Sequence, residues 1–560
     1  MRRAMKRPVA PQAAPRKRIA LWVAVSLVGM LAGCESVPVK INNLLPDGLG
    51  LGSSIKVGQL PPVPPERQWP DAAQDVRDQR ALGYGLVQLP QMQAYLNGLL
   101  AKVKQAAGVP QWPGAVYITA VSELEAYCTG AGNIYLSLGW LESAESEDEI
   151  VALLSHEFGH VYLNAHQLGT AVTASDQAAK WAAVGLALAK KAGDATGWTA
   201  VDSLVLSYEA GKSTLAPAWG RKEEEWADRF GATISLQLNY SFTRGFKTFL
   251  ERQANWEAQN AQRREAEKQQ LLASLKQASE EQVRKQNAGA KNGAQTALLD
   301  AQIALNGGVV EASNGIGNAI KDAVRTITQT HPDTEARLNG LTEQVLPLME
   351  GKPRPAATVE PWRRALAQPQ TAAVLKNYRL AADVQAALQQ QDHATARKLA
   401  LVAADGPTAG HALPVMLLSL TEGHASAAEK RPRRAPTGPA TDPLDRNLKS
   451  EPDRAWHIYT LRANRLLTAG QAAQATAVMK EGFDYFGNSP AAWPDAIRFT
   501  AQTQGWPSAK QLAQNCVDRF PSHGTTCMQA AQSPEEIAAM QSRSEQKAKN
   551  LTDKWFKKTK

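Results

Sequence analysis

Apolar residues recur at three- and four-residue intervals along most of this chain, which predicts a mainly helical fold. The first clear run is Ala72 to Gly108, where Leu96, Leu99, Leu100 and Val103 share one helical face. Two short stretches depart from that period. Ala115–Thr119 reads as a strand, and Asn133–Leu138 alternates as a second strand entered through Gly130-Ala131-Gly132. Ser146-Glu147-Asp148-Glu149 then starts a helix, with its acids in the first turn where the dipole favours them. A charged helix is expected over Arg221–Phe230, and Ala178–Ala192 is a helical run in the small-residue segment between the two. Glu251–Gly289, rich in Gln, Glu, Lys, Arg and Ala, and the more apolar Ala297–Val309 read as a long helix or hairpin against the preceding domain. A lid or a docking arm is the other reading of that segment.

From about Thr371 the helical patterns come in pairs: Ala381–Gln389 with Ala394–Ala403, Arg462–Leu467 with Ala472–Phe486, and Trp493–Gln502 with Ser508–Phe520. Such pairs, with small residues inside and Pro at the close, read as tetratricopeptide-like repeats over 371–535 or as an irregular helical bundle. Pro-, Gly- or charge-rich stretches suggest a tether at 34–75, a linker at 349–370 and another at about 429–453, with a basic helical tail at 536–560. The fold class expected is therefore α+β, mainly α with a small β-sheet, followed by an α-helical repeat domain.

The chemistry lies in the helix that follows Ser146. His156-Glu157-Phe158-Gly159-His160 puts two imidazoles four residues apart, on one helical face, so both can reach one cation. A catalytic zinc takes neutral imidazole readily and needs a third protein ligand and an open position for water. Glu157, on the same turn, is the natural general base. The competing reading is a buried amphipathic helix that happens to carry two histidines. In the later charged helix Glu224 and Asp228 lie four apart beside the small Ala227. Glu224 would complete a His-His-Glu zinc site, and Asp228 would hold a ligand imidazole through its second nitrogen. The plain alternative is a solvated acidic face.

His-Glu-x-x-His followed, 64 residues after His160, by Arg221-x-x-Glu224-x-x-Ala227-Asp228 resembles the HtpX/CAAX-prenyl-protease family of gluzincin metallopeptidases. The resemblance covers roughly residues 75–345 and implies one Zn2+ per chain, held by His156, His160 and Glu224, with Glu157 as catalytic base. Thr330-His331-Pro332 with Arg337 resembles the family's later His-Pro…Arg segment. His331 would approach the metal, as a catalytic group or as a ligand in a resting enzyme, or it is a loop histidine before a helix. Arg337 would bind substrate or pair with a nearby acid. An exposed strand edge beside the metal helix commonly holds the substrate backbone in zinc peptidases, and Asn133, Ile134, Tyr135 and Leu136 are the candidates, unless they form an ordinary half-buried strand. The family's usual Asn-Ala-Phe is here Glu125-Ala126-Tyr127, a departure bearing on substrate contacts and not on the metal.

Composition changes the picture at the N-terminus. The 560-residue chain has a formal charge of +9, but residues 1–33 contribute seven Lys/Arg and no acid, leaving 55 basic against 53 acidic residues in the rest. That balance gives no case for a nucleic-acid partner. The same basic residues precede the apolar Ile19–Leu31 and then Leu31-Ala32-Gly33-Cys34, the form of an export signal. Leu-Ala-Gly-Cys resembles the lipobox of bacterial lipoproteins, which implies lipidation of Cys34 and a periplasm-facing membrane anchor. Glu35, where an Asp would favour the inner membrane, leans toward the outer one. An uncleaved anchor or a plain signal is the alternative. Of the other cysteines, Cys516 and Cys527 are spaced to bridge a helix to the segment after it, and Cys128 reads as a small buried hydrophobe.

Together these readings describe an exported, lipid-anchored zinc metalloendopeptidase, its peptidase domain at 76–348 carrying an insertion at about 250–310. The layout resembles that of BepA-like periplasmic proteases. That resemblance implies unfolded or misassembled envelope proteins as substrates and the outer-membrane β-barrel assembly machinery as a partner for the repeats. The rival reading is a helical-repeat scaffold or chaperone-like binding protein with a structural or silent metal site.

Overall fold

The computed structural model describes residues 55–82, 85–164, 221–260, 334–423, 442–450, 453–533 and 535–536. These are mostly helical, with one three-stranded sheet, as the apolar spacing predicts. Cys34, His331, the 165–220 segment, the 261–310 part of the expected insertion and the tail beyond 536 lie outside the described residues. No helix among the described residues is long and apolar enough to cross a membrane.

The expected helix over 72–108 is two, α1 (Ala72–Ala81) and α2 (Pro90–Ala106). Pro90 lacks an N–H and fits only the first turn of a helix, so it starts α2 and cannot continue α1. Gly85 between them adopts φ +64°, which a side chain would strain. The sheet comprises β1 (Val116–Thr119), β2 (Ala126–Cys128) and β3 (Ile134–Ser137) in the order β1-β3-β2. β3 pairs parallel to β1 with Val116 opposite Ile134, and antiparallel to β2 with Tyr127 opposite Tyr135. Alternation sends Ile118, Cys128, Ile134 and Leu136 into the main core and Tyr117, Tyr127 and Tyr135 to the other face.

After α3 (Leu138–Ser143) comes the motif helix α4 (Glu147–Asn164). Its first-turn acids do more than complement a dipole. Glu147 accepts from the Tyr240 and Tyr95 hydroxyls, Asp148 from the backbone N–H groups of Ser241 and Thr358, and Glu149 from the Arg252 guanidinium. All three are at most 5% exposed, so each is a tie point for a different neighbour. α5 (Arg221–Gln237) packs along α4 at unusually small residues. A Cβ on Gly159 would stand 3.2 Å from Ala227 Cα, and one on Gly231 would stand 2.9 Å from the His156 backbone nitrogen.

The chain continues through a π-helical turn at Thr243–Lys247, a helix at 248–260, and α6 (Thr334–Met349). The linker expected at 349–370 is instead packed: it contains α7 (Glu360–Leu366), whose buried Trp362 donates to the Ala144 carbonyl. Likewise 55–75 is not a free tether, since Ile55 and Val57 are buried and Tyr162 donates to the Pro61 carbonyl. The helices that follow are α8 (Pro369–Gln389), α9 (His393–Ala403), α10 (Ala412–Gly423), α11 (Leu444–Leu448), α12 (Trp456–Thr468), α13 (Ala472–Phe486), α14 (Trp493–Gln504), α15 (Trp506–Arg519) and α16 (Gly524–Ala530). α8–α9, α12–α13 and α14–α15 are paired neighbours, turned by Gln391, Gly470 and Gly505 at positive φ. Cys516 and Cys527 form a disulfide between α15 and α16. One apolar core runs from α2 and the sheet through α4 and α5 into α8–α10.

Asp453 fastens this junction. Its two oxygens accept, at 2.7 Å each, from the backbone N–H of Leu86 beside the sheet and of Ala412 at the start of α10. The end of the linker expected at 429–453 is thus a buried bond. Burial pushes the Asp453 carboxyl up to about 7, against the pull of those two N–H groups and of Arg80. The folded value lies above the unfolded one, so folding takes up a proton here and this group's contribution to stability is lost as pH rises from about 4 through 7. Asp453→Asn is expected to flatten stability over that window. It should also cost about 1–3 kcal/mol, because an amide cannot accept from both N–H groups. Denaturant unfolding at several pH values checks both. Gly231→Val is expected to lower stability by about 1–3 kcal/mol through overpacking against Phe246 and α4, read as a lower unfolding midpoint.

Candidate metal centre

The close crossing of α4 and α5 brings three donor groups from two helices to one point. His156 Nε2 and His160 Nε2 stand 3.2 Å apart. Glu224 from α5 faces both, with Oε2 3.6 Å from His156 Nε2 and Oε1 3.4 Å from His160 Nε2. All three side chains are buried, and their donor atoms lie within 4.8 Å of one another. Tetrahedral ligands about 2 Å from a zinc ion stand about 3.3 Å from each other, so the observed spacings suit that ion. Two imidazole nitrogens and a carboxylate converging in a dry pocket are also the donor types zinc accepts.

The neighbours orient these groups. Asp228 Oδ1 lies 2.9 Å from His156 Nδ1, which leaves Nε2 turned to the centre. Arg337, from α6, meets Asp228 with Nε and Nη2 at 2.8 Å each and Glu224 Oε2 with Nη1 at 2.8 Å. Burial would push the Asp228 carboxyl up, but Arg337 and His156 outweigh it and hold it below the ordinary value. Burial would lower Arg337, and Asp228 and Glu224 raise it instead. The guanidinium thus has every nitrogen committed to a carboxylate and is 4% exposed. Of the two roles expected for Arg337, pairing with acids is the one the geometry shows, and the residue also lines the cavity beside Glu157.

Glu157, 3% exposed, lines the same small cavity as His156. Its walls are otherwise mainly apolar, among them Leu124, Ala126, Trp140 and Phe249. Ala126 belongs to β2, so the strand bordering this cavity is β2.

That placement corrects the substrate-strand expectation. Asn133, Ile134, Tyr135 and Leu136 are 0% exposed, and β3 is the central strand with both edges paired. Asn133 spends its side chain on Ala115 N, the Ala72 carbonyl and Asp75, and the Tyr135 hydroxyl is bound to Asp75. Alternation marked β3 as a strand but carried no information on its neighbours. The outer side of β1 receives a bridge from Leu86, whereas the outer side of β2 has no strand partner among the described residues. The strand signal missed in the sequence was Leu124, Ala126 and Cys128 at period two, shortened to three residues by the turn at Thr129–Gly132. Cys128 is a buried free thiol that burial, and then Glu157, push well above its usual pKa.

A buried triad of donors suited to a metal ion thus stands beside a cavity that His156 and Glu157 line. Residues 90–345, somewhat less than half of the chain, match the model of peptidase family M48, so this region is similar to the metallopeptidases of that family. No curated protein matches the chain.

Asp228→Asn is expected to lower zinc affinity about 10–100-fold, since it removes the group orienting His156. Competition with a chromophoric chelator measures this, with Glu224→Ala as the reference for loss of a ligand.

Proposed function

We propose that this chain is a zinc-dependent endopeptidase of the cell envelope, anchored through lipid on Cys34, that cleaves extended segments of unfolded or misassembled outer-membrane proteins. The observation that carries the peptidase part is the meeting of His156, His160 and Glu224 beside a cavity lined by His156, Glu157 and β2, a strand with no partner on its outer side among the described residues. Zinc, when bound, supplies a Lewis acid that polarises the scissile carbonyl and eases deprotonation of water. Glu157 takes the proton of the attacking water as the oxygen–carbon bond forms, and delivers it to the leaving nitrogen as the carbon–nitrogen bond breaks. Asp228 holds the His156 ring, and Arg337 holds Glu224 and Asp228 in place. The outer side of β2, which has no strand partner among the described residues, would take an extended peptide by strand addition, its side chains alternating toward the apolar wall.

The envelope part rests on other features. The basic and apolar N-terminus ending at Leu31-Ala32-Gly33-Cys34 fits export and lipidation. The Cys516–Cys527 disulfide fits an oxidising compartment. Stacked helix pairs beside the peptidase region resemble the BepA-like layout and would present clients or dock on the β-barrel assembly machinery.

Zinc-loaded protein beginning at Glu35 is expected to degrade an unfolded outer-membrane protein. Glu157→Gln should lower the rate at least about 100-fold while retaining stoichiometric zinc, and chelation should abolish it. Cleavage that survives both changes would sink the mechanism.

A further inference from the structure

α1 stands between the sheet and the C-terminal helices and is bonded to both. One oxygen, Asp75 Oδ2, accepts from the Thr129 hydroxyl at 2.9 Å, Asn133 Nδ2 at 2.7 Å and the Tyr135 hydroxyl at 2.8 Å. Thr129 directly follows β2, Asn133 directly precedes β3 and Tyr135 lies within it, so one carboxylate closes the whole β2–β3 hairpin. One turn further along α1, Gln79 Oε1 accepts from the hydroxyl of Tyr127, the middle residue of β2, at 2.8 Å. Tyr127 stacks on Tyr135, centroids 5.1 Å apart, and Tyr135 on Tyr117 at 5.6 Å.

At its other end α1 is held by a different part of the chain. Arg80 Nη1 donates to the Tyr485 hydroxyl at 2.9 Å on α13. Ala81 is buried in the apolar cluster of Trp456, Tyr459 and Phe486, which belongs to α12 and α13 and not to the peptidase core.

A three-residue strand paired on one side has few backbone bonds of its own to keep its place. Strand addition by a peptide nevertheless needs N–H and C=O groups at a fixed pitch and height above the metal ligands. The side-chain bonds to α1 supply what the short ladder lacks. We propose that Asp75 is a positioning residue for peptide substrate, fixing the β2 edge through Thr129, Asn133 and Tyr135, and that α1 transmits the seating of α12–α13 to that edge through the Arg80–Tyr485 contact. The proposal rests on the peptidase reading and adds which residues set its substrate edge. It makes the C-terminal helices part of peptide recognition and leaves Glu157 and the metal ligands untouched.

The test uses full-length zinc-loaded protein, an extended fluorogenic peptide, and the variants Asp75→Asn and Tyr485→Phe. The first is expected to raise KM about tenfold and the second about threefold, with kcat and zinc content held within about twofold. In a Glu157→Gln background the Kd of the same peptide, read by fluorescence anisotropy, should rise by the same factors. Amide hydrogen exchange at 126–129 should speed up in Tyr485→Phe, although the substitution lies in α13. Unchanged KM, Kd and exchange in a parent that cleaves would overturn the proposal. A loss of thermal stability or kcat with KM unchanged would also overturn it, reducing Asp75 to a structural residue. Should Asp75→Asn fail to fold, Tyr485→Phe decides alone. A parent that neither binds nor cleaves peptide refutes the peptidase reading itself, a distinct result that removes this proposal with it.

Discussion

The approach of α4 to α5 at Gly159, Ala227 and Gly231 is the constraint on which the rest of this structure turns. Side chains on two helices can share a cation only if the backbones come close, and any Cβ at either glycine would meet the facing backbone or the His156 turn. Neither helix alone has a third donor at the right height. The small residues are thus as much a part of the candidate metal centre as the ligands. Around the crossing, Phe158, Phe230 and Tyr162 fill the flanks, so the closeness is confined to the point where donors are needed.

Bringing two helices together also concentrates negative charge. Glu157, Glu224 and Asp228 lie within a few residues' reach in a nearly dry pocket, and such a cluster is unfavourable without compensation. Arg337 offsets two of these carboxylates from the outside, leaving the inner faces of Glu224 and the two imidazoles for a divalent ion. The division of labour is physical: a fixed cation orients the acids, and the donors at the centre are left for a second one. It also explains why an arginine from a helix more than a hundred residues later in the chain is buried here.

The C-terminal helices do not hang from a flexible connector. Trp362, Thr358 and Asp453 tie them to α3, α4 and the segment before α2, and the apolar core passes without interruption into α8–α10. A junction of this kind lets events on the helix pairs reach the sheet through packed atoms, and α1 is the element with bonds on both sides. The region that matches the peptidase family model and the helices α8–α10 after it share one apolar core.

Sequence alone was enough for whatever depends on residues near in the chain. The helix-spaced apolar residues, the His156–His160 pair and the acids that open α4 are all encoded within a few positions, and each lies where local periodicity predicts. Even Glu224 was legible, because a spaced pattern with Asp228 and Ala227 is itself local. What tertiary structure alone decided is the matter of neighbours. Period-two alternation makes Asn133–Leu136 a strand but is the same for an edge as for a centre, so it did not reveal that β3 is the central strand and β2 an outer one. Charge makes Arg337 a binder of anions without saying whether the anion is substrate or the protein's own carboxylates. Proline content suggested linkers at 349–370 and near 453, yet proline restricts only its own backbone, and Trp362 and Asp453 show that packing can bury such segments. Partners across hundreds of residues are chosen by three-dimensional proximity, which no local pattern records.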